Sequence, residues 1–331
     1  MATYKGINGF AVQSVASDPS PLDEGQVWYN NATYAFKLAS LSTVGTFASG
    51  GNMNTARANL GGAGTQTAAI GFGGEPGGSP AYTGATELYN GTSWTNSPAT
   101  LNTVRLIYKG NAGTQTSALA FSGYDLSNKN SSESFNGTSW TNTPSLNTAA
   151  RARAGTGASN TSALCFGGFT TGGIASTESW DGSSWTNVNN LNSPVREHAG
   201  MGIQTATISF GGAGAPGSYT TQTESWNGTS WTTVNSMNTA RGGLAGAGIQ
   251  TIGLAFGGVT DPGSLTGATE LWNGTSWTNN PNSLATARQR FGAGGTQTAA
   301  VGFGGETPAA TAVTEEFTGP GSPVTRTITT S

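Results

Sequence analysis

The feature that most constrains this chain is an internal repeat of 44 to 49 residues. The tripeptide Phe-Gly-Gly, once Phe-Ser-Gly, recurs with three further markers in constant order: the Glu of Glu-x-aromatic, the Trp of Gly-(Thr/Ser)-Ser-Trp, and the Arg of Leu-Asn-Thr-Ala-Arg and its variants. A unit of this length cannot bury its apolar face alone, so neighbouring copies must stack. The markers are Phe72, Phe121, Phe166, Phe210, Phe256 and Phe303; Glu87, Glu133, Glu178, Glu224, Glu270 and Glu315; Trp94, Trp140, Trp185, Trp231 and Trp277; and Arg57, Arg105, Arg151, Arg196, Arg241 and Arg288.

Each repeat predicts four short β-strands. In the first copy a Gly/Ala-rich strand (Gly61–Gly64) is followed by a Thr-Gln-Thr turn and an apolar strand, Ala68–Phe72. A variable loop leads to a third strand, Thr86–Tyr89, and the tight Asn90-Gly91 turn leads to a fourth around Trp94. Small residues in the first strand and bulky ones in the last fit a four-stranded unit that is wedge-shaped, narrow at the first strand and wide at the last. The sequence therefore predicts an all-β fold, a six-bladed β-propeller of four-stranded blades.

The sixth repeat is incomplete, because no Gly-Thr-Ser-Trp follows Glu315. The missing piece stands at the other end of the repeats, where Thr46 and Phe47 precede the first Asn-Thr-Ala-Arg and Phe47 takes the place of the Trp. We expect this N-terminal strand to close the last blade and remove its open edge. The predicted domains are an N-terminal segment, 1–45, with a short β-hairpin, and a propeller, 46–331.

Composition excludes several partners. Charged residues make up 9% of the chain, against about 25% in an ordinary domain. The thirteen Lys and Arg form no basic stripe, so no nucleic-acid partner is expected. No apolar run approaches the roughly 20 residues that span a bilayer, so no membrane insertion is expected. The first ten residues lack the apolar stretch of a signal peptide, and the single cysteine, Cys165, cannot form an intrachain disulfide.

The residues also argue against catalysis. One His and one Cys cannot supply the three or four ligands of a zinc site, so neither a metal nor another cofactor is expected. An Arg or Glu present in every copy is predicted to be scaffold, since a single site does not need six copies. The acids that break the repeat fall in different copies, so a carboxylate pair is not expected. They are Glu75, Asp125, Glu197, Asp261 and Glu306.

Positions that break the repeat are the candidates for ligand binding. The loops between second and third strands should share one face with the links between repeats. These loops place aromatic and charged residues among Gly and Ser, as antibody loops do. Two residues after the repeated Arg lies a further variable position, expected at the mouth of a central channel, where a cation can grip an acidic or sugar ligand. The alternative to ligand binding is that these positions are ordinary solvated surface that tolerates sequence change. The loop candidates are Tyr82, Tyr124, Asp125, Lys129, Tyr219 and Asp261, and the channel candidates are Arg153, His198 and Arg290.

The order of these markers resembles the kelch repeat. Thr, Asn and Gly replace the usual charged loop residues, and with the leader Gly25–Asn30 this composition resembles kelch-like structural proteins of marine tailed phages. The resemblance implies a non-enzymatic virion structural protein, either a tail fibre or appendage or a capsid decoration. Residues 1–45 would attach it to other virion proteins, and the propeller, displayed on the virion surface, would bind a host-surface glycan or receptor with avidity from many copies.

Two alternatives stay open at this point. One is a protein that only stabilises the shell or tail, and the other is a surface-polysaccharide hydrolase. The sequence also leaves open whether the chain forms a homo-oligomer through either end.

Overall fold

The computed structural model of the protein describes residues 12–20, 25–41, 44–77, 82–214, 217–321 and 323–328. Throughout these residues the regular elements are β-strands, and they include no helix that could cross a membrane. The chain divides into two compact units, Thr46–Thr318 and Met1–Gly45 with Gly319–Ser331. Gly319–Ser331 thus cluster with the N-terminal segment. The sequence had predicted that they belong to the repeat domain.

In the larger unit the repeats form six four-stranded antiparallel sheets, numbered here in chain order. Sheet 1 contains β5 (Gly61–Thr65), β6 (Ala68–Phe72), β7 (Ala85–Tyr89) and β8 (Trp94–Thr100). Sheet 2 contains β9 (Asn111–Thr114), β10 (Ser117–Phe121), β11 (Ser132–Phe135) and β12 (Trp140–Thr143). Sheet 3 contains β13 (Ala154–Ser159), β14 (Ser162–Phe166), β15 (Thr177–Trp180) and β16 (Trp185–Val188).

The later repeats follow the same order. Sheet 4 contains β17 (Ala199–Ile203), β18 (Ala206–Phe210), β19 (Thr223–Trp226) and β20 (Trp231–Val234). Sheet 5 contains β21 (Ala245–Ile249), β22 (Ile252–Phe256), β25 (Thr269–Trp272) and β26 (Trp277–Asn280), with a two-stranded ribbon, β23 (Val259–Thr260) and β24 (Ser264–Leu265), in its loop. Sheet 6 contains β27 (Gly292–Gly295), β28 (Ala299–Phe303), β29 (Thr314–Thr318) and β4 (Thr46–Ser49).

Sheet 6 joins the two ends of the repeat region. Strand β4 pairs antiparallel with β29 and places Phe47 opposite Phe317, with ring centroids 4.9 Å apart. The predicted pairing between the strand around Phe47 and the incomplete last repeat is therefore confirmed. Its outer edge position matches that of the Trp-bearing strands in the other five sheets.

The first strand of each sheet lies beside the first strand of the next, and β27 of sheet 6 lies beside β5 of sheet 1. Their glycines allow this approach. A Cβ at Gly62 would lie 2.7 Å from the Ala293 backbone nitrogen, closer than any side chain tolerates. Small residues here are therefore a requirement of packing between sheets.

An amide side chain in the turn after each first strand locks that sheet to the preceding one. Gln66 Nε2 donates to the carbonyl oxygens of Ala300 (3.0 Å) and Phe317 (2.9 Å), both in sheet 6. Gln115 does the same to sheet 1. The Gln of the Thr-Gln-Thr turn thus provides a hydrogen-bond donor for carbonyls on the two inner strands of the preceding sheet. The equivalent donors in sheets 3 to 6 are Asn160, Gln204, Gln250 and Gln297.

Aromatic pairs fill the space between sheets. The Phe of Phe-Gly-Gly packs on the Trp of the next sheet, as Phe72 does on Trp140 with ring centroids 4.8 Å apart. Trp140 Nε1 in turn donates to Thr86 Oγ1 of sheet 1 at 2.9 Å. Burying such a side chain contributes about 1.5 to 3 kcal/mol, so these contacts dominate the cohesion between sheets.

The smaller unit is a mixed four-stranded sheet. Its order is β1 (Gln13–Val15), β2 (Val27–Asn30), β3 (Ala35–Leu41) and β30 (Pro323–Thr327). Strands β2 and β3 form an antiparallel hairpin, and β30 pairs antiparallel with β3. Trp28 is buried and donates to Asp18 Oδ1, whereas Val27 and Phe36 remain 39% and 49% exposed.

Candidate functional site

Among the described residues, a buried Arg–Glu pair lies in each sheet except sheet 4, and in sheets 1, 2, 5 and 6 the Arg is the repeated one. Each pair is joined by an ion pair of 2.5 to 3.3 Å. The Glu also accepts backbone N–H groups of the incoming link, as Glu87 does from Asn54 (2.7 Å) and Thr55 (3.3 Å). The scaffold role predicted for the repeated Arg is confirmed for Arg57, Arg105, Arg241 and Arg288 and is wrong for Arg151 and Arg196, which are only half-buried. The five ion pairs are Arg57–Glu87, Arg105–Glu133, Arg153–Glu178, Arg241–Glu270 and Arg288–Glu315.

Sheet 3 departs from the predicted register of the repeat. Arg153, not Arg151, pairs with Glu178, because Ala150 stands three residues after Asn147, where Arg57 stands after Asn54, and Arg151 comes one residue later. Arg153 stands directly before β13 and is completely buried. Its predicted place at a channel mouth is therefore wrong.

His198 occupies the corresponding position in sheet 4. It stands directly before β17, where Leu60 precedes β5 and Leu244 precedes β21, and it is completely buried. Its ring packs on Phe166 with centroids 5.4 Å apart. Burial, and secondarily the Arg153 cation, lower the pKa of His198 to about 3, so the ring is neutral. The prediction that His198 lies at the channel mouth is also wrong.

Sheet 4 consequently holds a buried carboxylate without an arginine. Glu224 Oε1 accepts a hydrogen bond from Gln222 Nε2 at 2.7 Å, and its Oε2 accepts the Asn192 N–H at 2.8 Å. Burial raises the pKa of Glu224. The neutral amide takes the place that a guanidinium fills in the other sheets.

In sheets 3 and 4 the repeated Arg lies four residues after the Asn of the link, not three as in sheets 1, 2 and 5, and this shift of one residue places Arg151 and Arg196 on the loop face. In each sheet the incoming link forms a backbone bridge with the residue after Phe-Gly-Gly, such as Arg151 with Phe169 and Arg196 with Ala213. Links and loops therefore share one face, as the sequence predicts. Both arginines are only half-buried.

These two arginines stack with aromatic rings across three sheets. The Arg151 guanidinium carbon lies 4.8 Å from the ring centroid of Tyr124 and 4.7 Å from that of Phe169. The Arg196 guanidinium carbon lies 4.6 Å from the same Phe169 centroid. We call Tyr124, Arg151, Phe169 and Arg196 the arginine–aromatic row. A cleft of roughly 250 Å³ beside it is lined by Phe169, Arg196 and Gly-rich loop backbone.

A second cluster forms around Arg290. Its guanidinium pairs with Glu306 at 3.1 Å and with Glu197 at 3.4 Å. A cleft of roughly 260 Å³ is lined by Arg290, Glu306 and Glu75. Sheets 1 and 6 bring these two acids together, although the sequence places them in different repeats. The expectation that the repeat-breaking acids are dispersed is therefore wrong for Glu75 and Glu306.

Next to this cluster, Lys109 reaches across from sheet 2 and donates from Nζ to the Phe291 carbonyl. Burial lowers the pKa of Lys109 to about 7 and, for the adjacent Tyr108, raises it to about 12. Lys109, Tyr108 and Arg290 line one small void among the links that precede the first strands of the sheets. This part of the face is therefore closed by side chains.

The remaining sequence candidates lie in separate loops. Asp125 and Lys129 pair with each other at 2.6 Å. The Tyr219 backbone N–H donates to Asp261 Oδ2 at 3.2 Å. Tyr82 is half-buried, and residues 78–81, which precede it in the chain, lie outside the described residues. The structure thus joins Tyr124 to the arginine–aromatic row but does not bring all nine candidates into one site.

Sequence reasoning missed Arg151 and Arg196 as surface residues. The available signal was the spacing between the Asn of the link and the repeated Arg, which is four residues in these two repeats and three in repeats 1, 2 and 5. Phe169 was visible as a loop aromatic, but its cationic neighbours were assigned to the scaffold.

Comparison with protein-family models and with curated proteins gives no match to this chain. Among the described residues no group of three or more His, Cys, Asp or Glu is placed to hold a metal ion. Cys165 is buried in sheet 3, and burial raises the pKa of its thiol to about 12.

Proposed function

We propose that Thr46–Thr318 is a six-bladed β-propeller of kelch-like repeats. Three observations support this architecture: six similar four-stranded sheets, first strands that succeed one another from sheet 1 to sheet 6 and back to sheet 1, and amide locks between each sheet and its predecessor. In such a disc the arginine–aromatic row and both clefts lie on the loop face.

The function proposed for this disc is non-enzymatic binding of a host-surface glycan by a phage virion protein, a tail appendage or a capsid decoration. The observation that carries the binding role is the arginine–aromatic row beside a Gly-lined cleft. Aromatic faces and planar guanidinium donors are suited to sugar rings and their substituents. The virion location rests on the resemblance to phage kelch-like proteins.

Attachment to other virion proteins is proposed for the smaller unit. Trp28 is buried on one side of the β2–β3 hairpin, whereas Val27 and Phe36 are exposed on the other. Exposed apolar side chains on one sheet face are typical of interaction surfaces.

A hydrolase is the second candidate, because Glu75 and Glu306 line one cleft with Arg290. Paired carboxylates are the usual machinery of glycoside hydrolysis. The ion pair between Glu306 and Arg290 keeps one of these acids engaged, which favours the binding role over this one.

One experiment separates these functions. The purified full-length protein is applied to a panel of immobilised bacterial surface polysaccharides, and the same wells are assayed for new reducing ends. Reversible binding without new reducing ends supports the proposed function. New reducing ends that disappear in E75Q or E306Q would establish the hydrolase, and no binding to any polysaccharide would overturn the glycan-binding role.

The virion location is tested by immunogold electron microscopy of purified particles with an antibody against the protein. Label at the tail or over the shell is the expected result. Particles without label would refute the virion assignment.

A further inference from the structure

The cations of the larger unit are almost all engaged by acceptors. Thr46–Thr318 contains ten Lys and Arg residues. Five are buried in the Arg–Glu pairs, Lys129 and Arg290 pair with carboxylates, and Lys109 donates to a backbone carbonyl. Among the described residues of this unit, Arg151 and Arg196 alone have neither a carboxylate within 4.0 Å nor a backbone carbonyl as acceptor; Arg151 Nη1 donates to the neutral side chain of Asn128, at Oδ1, at 3.2 Å.

These two cations also lie against the same ring, that of Phe169. Both guanidinium carbons lie within 5 Å of the centroid of the Phe169 ring, so their separation cannot exceed the sum of the two distances. Two like charges at this range repel each other, and ring stacking replaces part of their hydration. A bound anion would remove that repulsion.

The space beside them is open and small. The cleft of roughly 250 Å³ is bounded by Phe169, Arg196 and the glycines of two loops. A Cβ built at Gly172 or Gly214 meets no atom within 4 Å, so these walls leave room for a ligand. The volume falls just below the ~300 Å³ at which pockets for drug-sized ligands begin, which suits one sugar ring or its acidic substituent.

We propose that the row formed by Arg151, Phe169 and Arg196 is a binding site for the acidic group of an anionic glycan. The guanidinium groups donate to the oxyanion, a carboxylate or a sulfate, and Phe169 holds both donors in orientation. The inference rests on the proposed glycan-binding function and adds its charge specificity. Asp125, in the same loop as Tyr124, is held by Lys129, so this carboxylate does not compete for these cations.

The test uses probes that differ only in charge. Dissociation constants of the full-length protein are measured by calorimetry for oligogalacturonate and for its methyl ester, and for dextran sulfate and plain dextran. We expect at least one acidic probe to bind roughly tenfold or more tightly than its neutral counterpart, since charge-assisted hydrogen bonds are lost in the neutral form. The two pairs distinguish a carboxylate from a sulfate ligand.

Variants locate the site. R151Q and R196Q should each bring the ratio of acidic to neutral affinity towards one, whereas K37Q, which removes one cation from the smaller unit, should leave it unchanged. Thermal unfolding of each variant checks that the fold is kept. The fully buried Arg153 is not substituted, because its loss would leave the Glu178 carboxylate buried without a counter-charge.

Three results would overturn the inference: no binding of either acidic probe, equal affinity for charged and neutral probes, or an unchanged ratio in both arginine variants. Binding of neutral polysaccharides in the panel, with any of these results, would leave the proposed function in place and reject only the anionic specificity. Failure of the panel itself would reject the proposed function separately.

Discussion

Replacement of His198 by Leu should stabilise the protein, and more strongly in acid. The ring sits directly before β17 at the position held by Leu60 and Leu244 in sheets 1 and 5, and neither ring nitrogen has a normal hydrogen-bond partner. Removing such desolvated polar atoms should raise the free energy of unfolding by about 1 to 3 kcal/mol at pH 8.

The larger effect expected in acid follows from the linkage between protonation of His198 and folding. The folded protein holds the pKa of His198 at about 3, below the 6.5 of the ordinary side chain. Between these values the unfolded chain binds a proton that the folded one does not, so stability from this group is complete above pH 6.5 and falls as the pH drops towards 3. At pH 4 the loss in the wild type is about 3 kcal/mol relative to pH 8, and H198L should not show it.

Urea unfolding followed by tryptophan fluorescence at pH 8 and pH 4 gives the needed quantity, the difference between wild type and H198L at each pH. That difference should grow by about 3 kcal/mol in acid. The reciprocal variant L244H is the control and should introduce acid sensitivity in sheet 5. An equal difference at both pH values would refute the claim that His198 is held neutral by burial.

Two further predictions concern the repeated networks. E87Q strands the buried Arg57 without a counter-charge and should cost about 3 to 5 kcal/mol of unfolding free energy, whereas E224Q, in the sheet without an arginine, should cost about 1 to 2; equal losses in urea titrations would contradict this. In sheet 2 the equivalent of Thr86 is Ser132, and neither its Oγ nor Trp185 Nε1 has a partner. S132T should therefore restore the Trp–Thr hydrogen bond and add about 1 kcal/mol, while T86V should remove the bond to Trp140 and lower the melting temperature.

The sequence predicted the all-β class and the strand order because its markers report local chemistry. Asn-Gly turns, double glycines and spaced aromatics each fix a turn or a buried contact without reference to distant residues. The pairing of Phe47 with the last repeat was also predictable, since one missing strand and one spare strand stood at opposite ends of a counted pattern.

The predictions that failed depended on strand register and on contacts between residues far apart in the sequence. Arg151 and Arg153 carry the same side chain two residues apart, and only packing decides which one reaches Glu178. The pairing of β30 with β3 could not be deduced from its alternation, because period-two patterns do not specify a partner. The cleft shared by Glu75 and Glu306 required knowing that the first and last sheets are neighbours.

The pairing of β4 with β29 also orders events during synthesis. Strand Thr46–Ser49 leaves the ribosome before any repeat, yet its partner Thr314–Thr318 is made only after the other strands of the larger unit. At roughly 5 to 20 residues per second, β4 waits some tens of seconds for that partner. Sheets 1 to 5 can form during this delay, so the earliest strand of the larger unit is the last to be incorporated, and a nascent chain carries its exposed edge until Thr314–Thr318 has been made.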